Sequence, residues 1–546
     1  MSHETALHDH YAARAALMQE DRHLRRENKR LANLTEKEKL ADKIVRAIRD
    51  EEDKSVWSVQ HENIVHPFPG MEFLTAKQLI ETTELFKIIS KMPKGALLHA
   101  HLDATVDVRH LLKLAYQHPD RLHVRTQVML TDSNIIDTVP EFSPLPDGHP
   151  ASTLSVTNAD YTPGTWVSLA KARAGFSPAL GGPEGFDKWV VDSMMIHPAQ
   201  AYGTHNTVYK IWRKFLQTFQ ISAGINRYRP VFVEYMREFF LSSIADGISY
   251  IEARIPFFHK LRYDADGNLN VPHREWVVDF ERVMNEVKQD LKAQGREGEF
   301  VGAKMIYTTV RVITPEELEW YLDDCIALKQ EFPHIIAGFD LVGDENVNNP
   351  LTDYIPQLLK FKQRVKDLGL DLPLILHAGE TISDGGKADN NLYDAILLGT
   401  KRIGHGYSIV KHPKLMEICR EQDILIEICP ISNEILRLTS SMPTHHLPIV
   451  LNQGIPIALS SDDPSVFGNM GLSYDFFQVI VASEITGLIT LAEISRDSIQ
   501  YSRLSPSEKE HALGQWEAQW ARFVDEIVAL GASNGVANGN SGAVRD

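Results

Sequence analysis

The sequence predicts an α/β fold: a (β/α)8 TIM barrel with an N-terminal helical extension and a subdomain inserted after strand one. Two observations carry this prediction. From residue 96 onward, short apolar runs ending in polar or Gly-rich tips recur, with helical patterns between most of them. Near-continuous apolar runs that alternate with helices mark the buried strands of a parallel sheet. Eight such runs are present, the number that closes this barrel. A doubly wound open sheet is the structural rival, but no Gly-rich phosphate turn follows the first run.

In chain order the runs are ALLHAHLD (96–103), GISYIEARIPF (247–257), FVGAKMIYTTVRV (300–312) and IIAGFDLVGDE (335–345). They continue with LPLILHAGET (372–381), RIGHGYSIV (402–410), ILIEICPISN (424–433) and IPIALSSDDP (455–464). The stretch TPEELEWYLDDCIALKQEF shows the intervening helices, with Pro315 and acidic residues in its first turn and a lysine near its end. Residues 1–90 are charged and helix-prone, with apolar residues at three- and four-residue steps. They read as an exposed helical arm with a solvated face, an oligomerisation arm being the alternative. Residues 91–530 read as the barrel. The gap between Asp103 and Gly247 far exceeds an ordinary crossover, so the turn-rich segment at about 115–205 reads as an insertion or lid. The Gly/Asn/Ser-rich residues 531–546 read as a disordered tail.

Composition narrows the function. With 43% hydrophobic residues over 546 positions, the chain can bury a large core, yet it holds no run of 18 apolar residues to span a membrane. Its formal charge of −17 disfavours nucleic acid as a partner, because phosphate contacts need clustered Lys and Arg; a small nucleoside is not excluded. The three cysteines, Cys325, Cys419 and Cys429, lack C-x-x-C spacing and argue against a disulfide framework or zinc ribbon. The N-terminus carries charges where a signal peptide needs an apolar run, so a cytoplasmic protein is expected.

The chemistry-bearing residues fall at the ends of the runs. His99 and His101 lie two apart in a strand, so both side chains point to one face. Alone, H-x-H is weak, and His8 and His10 form a decoy in the charged arm. The other run ends add weight: His377 in LILHAGET, His405 in RIGHG, and Asp462 and Asp463 in LSSDDP. A buried histidine satisfied by a carbonyl explains any one of these, but not all of them at the face where this barrel gathers catalytic groups. Catalytic zinc sites use His nitrogen and carboxylate oxygen and keep one position open for water. Glu380, three residues after His377, is placed to shuttle protons beside such a metal.

Together the motifs MPKGALLHAHLDA, GFDLVGDE, HAGET, RIGHG, CPISNEIL and SSDDPSVFG closely resemble the adenosine deaminase family of metal-dependent barrel hydrolases, over residues 90 to 530 or so. CPISNEIL, GLSYDFFQV and the long N-terminal and inserted segments resemble its adenosine deaminase-related growth factor branch. The resemblance implies one Zn2+ per chain, held by His99, His101, His377 and Asp462. It implies that Glu380 protonates the purine ring and that His405 orients and helps deprotonate the attacking water, with Asp462 in the same catalytic group. Asp463 and Gly343 would contact the two edges of the purine, Asp103 the ribose, and Trp212 would line the site. The activity implied is hydrolytic deamination of adenosine or 2′-deoxyadenosine, by a homodimer joined through the N-terminal arm. Two alternatives stay open: deamination of a related 6-aminopurine such as AMP, with Lys171, Arg173, Lys210 and Arg213 as phosphate ligands, or a non-catalytic signalling role. Secreted members of the branch carry a signal peptide and cysteines for disulfides; neither is seen here. Some members also have a histidine near the ribose where YTTVR places Val310.

Overall fold

The computed structural model describes residues 3–533. At its centre run eight strands: β1 (Gly95–Leu97), β2 (Ile248–Pro256), β3 (Gly302–Val310), β4 (Ile336–Val342), β5 (Leu376–Ala378), β6 (Arg402–His405), β7 (Leu425–Ile428) and β8 (Ile457–Leu459). Seven fall within one of the apolar runs, and β1 overlaps the first run, starting one residue ahead of it. They pair in parallel in the order β1-β2-β3-β4 and β5-β6-β7-β8. Two seams join the halves. At one, Phe339 N–H donates to Pro373 O (3.0 Å) and Ile375 N–H to Phe339 O (2.9 Å). At the other, His101 N–H donates to Asp462 O (3.0 Å) and Asp462 N–H to His99 O (3.2 Å). The ring therefore closes, and every strand has two neighbours. The second seam also stitches the H-x-H segment to the LSSDDP segment.

Burial explains the strand pattern. All nine residues of β2 are buried, because helices cover the outside while side chains fill the inside. The helix over Pro315–Glu331 begins as expected, with Pro at its start and a capping box between Thr314 and Glu317.

The segment read as an exposed arm is divided. Helix α1 (His3–Asp21) buries none of its residues. Helix α2 (Glu36–Glu52) instead turns Ala41, Ile44 and Val45 into the core, against the C-terminal helix Pro506–Ser533. Arg49 of α2 donates to the carbonyls of Ser483 (2.7 Å) and Thr486 (2.9 Å), and Glu38 accepts from the Trp520 indole (3.0 Å). The reading of residues 1–90 as one solvated arm is thus corrected for this part. The three- and four-residue apolar steps form a packing face, which charge content alone did not separate from a solvated one. The C-terminal helix runs to Ser533, past the predicted start of the tail at 531; the remainder of the predicted tail, 534–546, lies outside the described residues. Among the described residues no helix is long and apolar enough to cross a membrane.

Between β1 and β2 the chain builds a three-stranded antiparallel sheet, with Leu122–Arg125 between Glu141–Pro144 and Val167–Ser168. The helices Leu169–Ala174 and Gly182–Ser193 follow. Helix α3 (Val208–Asn226) then packs against strand Glu141–Pro144 and carries Trp212, Phe215 and Phe219 to the barrel mouth.

One buried acid gives the fold a pH dependence. Glu434 is fully buried and accepts from Phe73 N–H (3.1 Å) and from the Tyr202 hydroxyl (3.0 Å). Burial pushes its carboxyl up to about 8. Below the ordinary carboxylate range it is protonated in both folded and unfolded chains and costs nothing. As pH rises through that range toward 8, the unfolded chain ionises first, so stability on the order of a few kcal/mol is lost. Glu434→Gln keeps an acceptor oxygen and removes the ionisation. The expected result is a Tm advantage for the variant that grows from pH 5 to pH 9; an advantage independent of pH would contradict the assignment.

Candidate active site

The seam between β1 and β8 brings His99 and His101 against Asp462. His99 Nε2 lies 3.2 Å and His101 Nε2 3.3 Å from Asp462 Oδ1. His377 lies in β5 and His405 ends β6 beside them, with ring centroids 4.5 and 4.7 Å from that of His99. One ligand-capable atom each from His99, His377, His405 and Asp462 lies within 4.8 Å of the others. Two local features make room for this cluster. Gly404, at a barrel-facing position of RIGHG, leaves space that a Cβ would close, since it would stand 2.9 Å from His99 Cε1. His405 and Asp462 both adopt left-handed backbone, at φ 61° and 59°, conformations that L-residues hold at a cost and that gather at functional sites.

The donor set fits a divalent cation. His99 Nε2 and Asp462 Oδ1 are buried and make no hydrogen bond among the described residues. Unsatisfied buried groups are costly, and an ion shared by imidazole nitrogens and a carboxylate oxygen would satisfy both. The far side of each ring is already occupied. His99 Nδ1–H faces Glu427 Oε2 (2.9 Å), and His377 Nδ1–H faces Asp340 Oδ2 (2.7 Å), while the His377 backbone N–H also donates to Asp340 Oδ1 (2.9 Å). Those carboxylates fix the tautomer and leave Nε2 bare toward the cluster. Arg254 donates to both of them, to Asp340 Oδ2 and Glu427 Oε2 at 2.7 Å each. Arg402 bridges Glu427 (2.5 Å) to Glu252 (2.6 Å). Burial alone would raise these carboxyls. Arg254 with Arg402 nevertheless holds Glu427 well below the usual range, and His377 with Arg254 does the same for Asp340.

Glu380 follows on the loop after β5. Glu345 clamps that loop: its Oε2 accepts from Gly379 N–H (3.2 Å) and its Oε1 from Glu380 N–H (3.0 Å). Arg311, fully buried, pairs with Glu345 Oε2 (3.2 Å) and donates to the His377 carbonyl. Glu380 Oε1 and Asp462 Oδ2 each lie 3.7 Å from His405 Nε2. Burial, with Asp462, Glu345 and Asp344 nearby, pushes the Glu380 carboxyl well above its ordinary value. Burial and Asp462 act on Asp463 in the same direction.

These groups open onto a cavity of about 280 Å³. Of the site residues expected from sequence, His101, Asp103, Trp212, Gly343, His377, Glu380, His405, Asp462 and Asp463 line it, and His99 lies behind His101 in the cluster. Gly343 has φ 122°, and a Cβ there would stand 2.6 Å from Asn348 Nδ2, so the wall at that point is bare backbone. Trp212 is buried, and its indole N–H has no partner among the described residues. Among the described residues no Lys or Arg lines the cavity. Of the four basic residues considered for phosphate, Lys171, Lys210 and Arg213 are exposed, and Arg173 is paired with Asp187 (2.9 Å).

Sequence reading missed the supporting groups: Asp340, Glu427, Arg254 and Arg402 inside the strands, Arg311 at the end of β3, and Glu345. A signal existed for the strand residues. Arg254 in ISYIEARIP, Asp340 in IAGFDLV and Glu427 in LIEI each interrupt an otherwise apolar strand with a charge.

Comparison with known proteins follows the same lines. The family model described as adenosine deaminase matches residues 197–516. Adenosine deaminase 2-A of Danio rerio is 33% identical over 501 residues, 90% of this chain and 90% of the relative. Adenosine deaminase 2 of Homo sapiens is 32% identical over 499 residues, 90% of this chain and 89% of the relative. Among solved structures, an adenine deaminase from Arthrobacter aurescens aligns with a TM-score of 0.52 at 18% identity, covering 79% of this chain and 99% of that one. A zinc-bound amidohydrolase from Burkholderia ambifaria aligns with a TM-score of 0.50 at 16% identity, covering 85% and 98%. At these identities the structural matches bear on the fold alone.

Proposed function

The chain belongs to the adenosine deaminase family, a family of hydrolases, and from that premise we propose that it deaminates adenosine or 2′-deoxyadenosine hydrolytically, releasing inosine or deoxyinosine and ammonia. The observation that carries this reading is convergence. The His/Asp cluster and the carboxyl of Glu380, on the loop whose backbone Glu345 clamps, face one aromatic-walled cavity of about 280 Å³.

In this reading His99, His101, His377 and Asp462 would hold one zinc ion, a donor set of the catalytic type; the Burkholderia ambifaria amidohydrolase of similar fold carries zinc. Zinc supplies Lewis acidity, which makes water a competent nucleophile near neutral pH. Glu380 gives its proton to the ring nitrogen beside the carbon that bears the amine, and so renders that carbon electrophilic. Water oxygen bonds to the carbon, and one water proton passes to a neighbouring base. That proton is then delivered to the amine, the carbon–nitrogen bond breaks, and ammonia leaves. Glu380 recovers its proton from the new hydroxyl as the carbonyl forms. Asp463, whose carboxyl burial beside Asp462 pushes toward the protonated form, donates to an imidazole nitrogen of the purine. Gly343 meets the opposite ring edge through its backbone, Asp103 takes the sugar, and Trp212 lines the site.

The lack of Lys or Arg in the described lining favours a nucleoside over a nucleotide. A phosphate there would lose its water shell without gaining a counter-charge. The test is kcat/KM for adenosine against AMP, with adenosine expected to lead by about 10²-fold or more. Equal or better use of AMP would overturn the nucleoside reading.

A further inference from the structure

We propose that Asn433 and His445 fix the neutral ring of His405 as its Nε2–H tautomer, so that His405 acts in the reaction as a hydrogen-bond donor and not as the base that takes the proton of water. The assignment rests on the catalytic reading above for its consequence, but on hydrogen-bond chemistry alone for the tautomer.

The backbone N–H of Leu447 can only donate, and it points at His445 Nδ1 (3.1 Å). Burial pushes the His445 imidazole down to about 3, so the ring is neutral at working pH. A neutral ring has one bare nitrogen and one N–H. Nδ1 is the bare one here, and the proton sits on Nε2. That Nε2 lies 3.1 Å from Asn433 Oδ1 and donates to it. With its oxygen engaged, the Asn433 amide turns its NH2 toward His405 Nδ1, 3.3 Å away. An amide NH2 has no lone pair to offer, so His405 Nδ1 accepts and the ring proton resides on Nε2. All three side chains are buried, which leaves little room for water to reverse the order.

The opposite face of His405 agrees independently. Its Nε2 looks at Asp462 Oδ2, a carboxylate oxygen 3.7 Å away. An acceptor there suits an N–H. The contrast with the other histidines is chemical. His99 and His377 present Nδ1 to carboxylates, Glu427 and Asp340, which places their proton on Nδ1 and bares Nε2 for a cation. His405 presents Nδ1 to an amide donor, and the order is reversed. Distance alone would group His405 Nε2 with the ligand atoms of His99, His377 and Asp462; its proton removes it from that shell and leaves the place to His101. Nε2–H can then hold the attacking oxygen in line, but it has no lone pair for the proton that water gives up. Asp462 is the basic group left within reach. Asn433 and His445 are positioning residues in this account.

The test uses the full-length zinc-loaded protein carrying 15N-labelled histidine, read by NMR at pH 7 without substrate, with the His405 signals assigned by their loss in His405→Gln. The expected result is a bare Nδ1 and a protonated Nε2. Asn433→Asp replaces the amide donor with an acceptor and should move the proton to Nδ1, lowering kcat by about 10-fold or more with KM within about threefold and zinc content unchanged. A wild-type ring protonated on Nδ1, or on both nitrogens, would overturn the proposal, as would an Asn433→Asp ring that keeps Nε2–H. If Asn433→Asp does not fold, His445→Phe decides. It removes the donor that orients the amide, so both tautomers of His405 should appear; a single unchanged tautomer counts against the relay. Because the tautomer is read without turnover, a protein that fails to deaminate adenosine could still show it, which keeps the two readings separately testable.

Discussion

Glu380→Gln is expected to lower kcat for adenosine by about 10²–10⁴-fold while KM changes by less than about threefold. The size of the effect follows from what the side chain supplies. Gln keeps the length and polarity of Glu and leaves intact the backbone clamp, in which Gly379 and Glu380 N–H groups bind Glu345. Only the transferable proton is lost. Burial together with Asp462, Glu345 and Asp344 pushes the native carboxyl toward its protonated form, and no Lys or Arg among the described cavity residues could replace it. Steady-state kinetics on the two proteins checks this. A variant within tenfold of wild type in kcat would remove Glu380 from the chemistry.

Chelation of the metal should have a comparable effect on turnover and a second one on stability. Dialysis against a chelator is expected to reduce activity by at least about 10³-fold, the order expected when a central electrostatic catalyst is removed. One equivalent of Zn2+ should restore it. The stability effect comes from the cluster itself. Without a cation, His99 Nε2 and Asp462 Oδ1 stay buried without a hydrogen bond, and Asp462 lies in a site shared with three further acids, Asp103, Glu380 and Asp463. Binding to the folded state alone stabilises by about 4 kcal/mol at a thousandfold excess over Kd. The melting temperature should therefore fall on chelation and return with zinc. Full turnover and an unchanged Tm after chelation would exclude a metal centre.

The barrel was legible because a buried parallel strand leaves a strong signature. GISYIEARIPF and FVGAKMIYTTVRV hold β2 and β3, and even the three-residue strand β8 lies within IPIALSSDDP. The positions of the polar site residues were legible for the same reason, since a histidine or aspartate closing an apolar run stands out. The supporting groups were harder to assign. A single charge within an apolar strand, such as Glu427 in LIEI, does not reveal that it meets Arg402 from the neighbouring strand and Arg254 from the other half of the barrel. Those contacts depend on closure of the ring, which no local pattern contains. The N-terminal region misled for a related reason. Charge along α2 suggested a solvated face, while one of its partners, the tryptophan-bearing helix Pro506–Ser533, lies more than 400 residues away. The relay from Leu447 through His445 and Asn433 to His405 was likewise out of reach, because its direction depends on which atoms face each other.

The central claim, that the His/Asp cluster and Glu380 together deaminate a purine nucleoside, is tested most directly by one assay: metal-replete full-length protein with adenosine, with inosine and ammonia measured together. The account predicts that both appear in equal amounts. No conversion of adenosine by protein shown to contain its metal would contradict it.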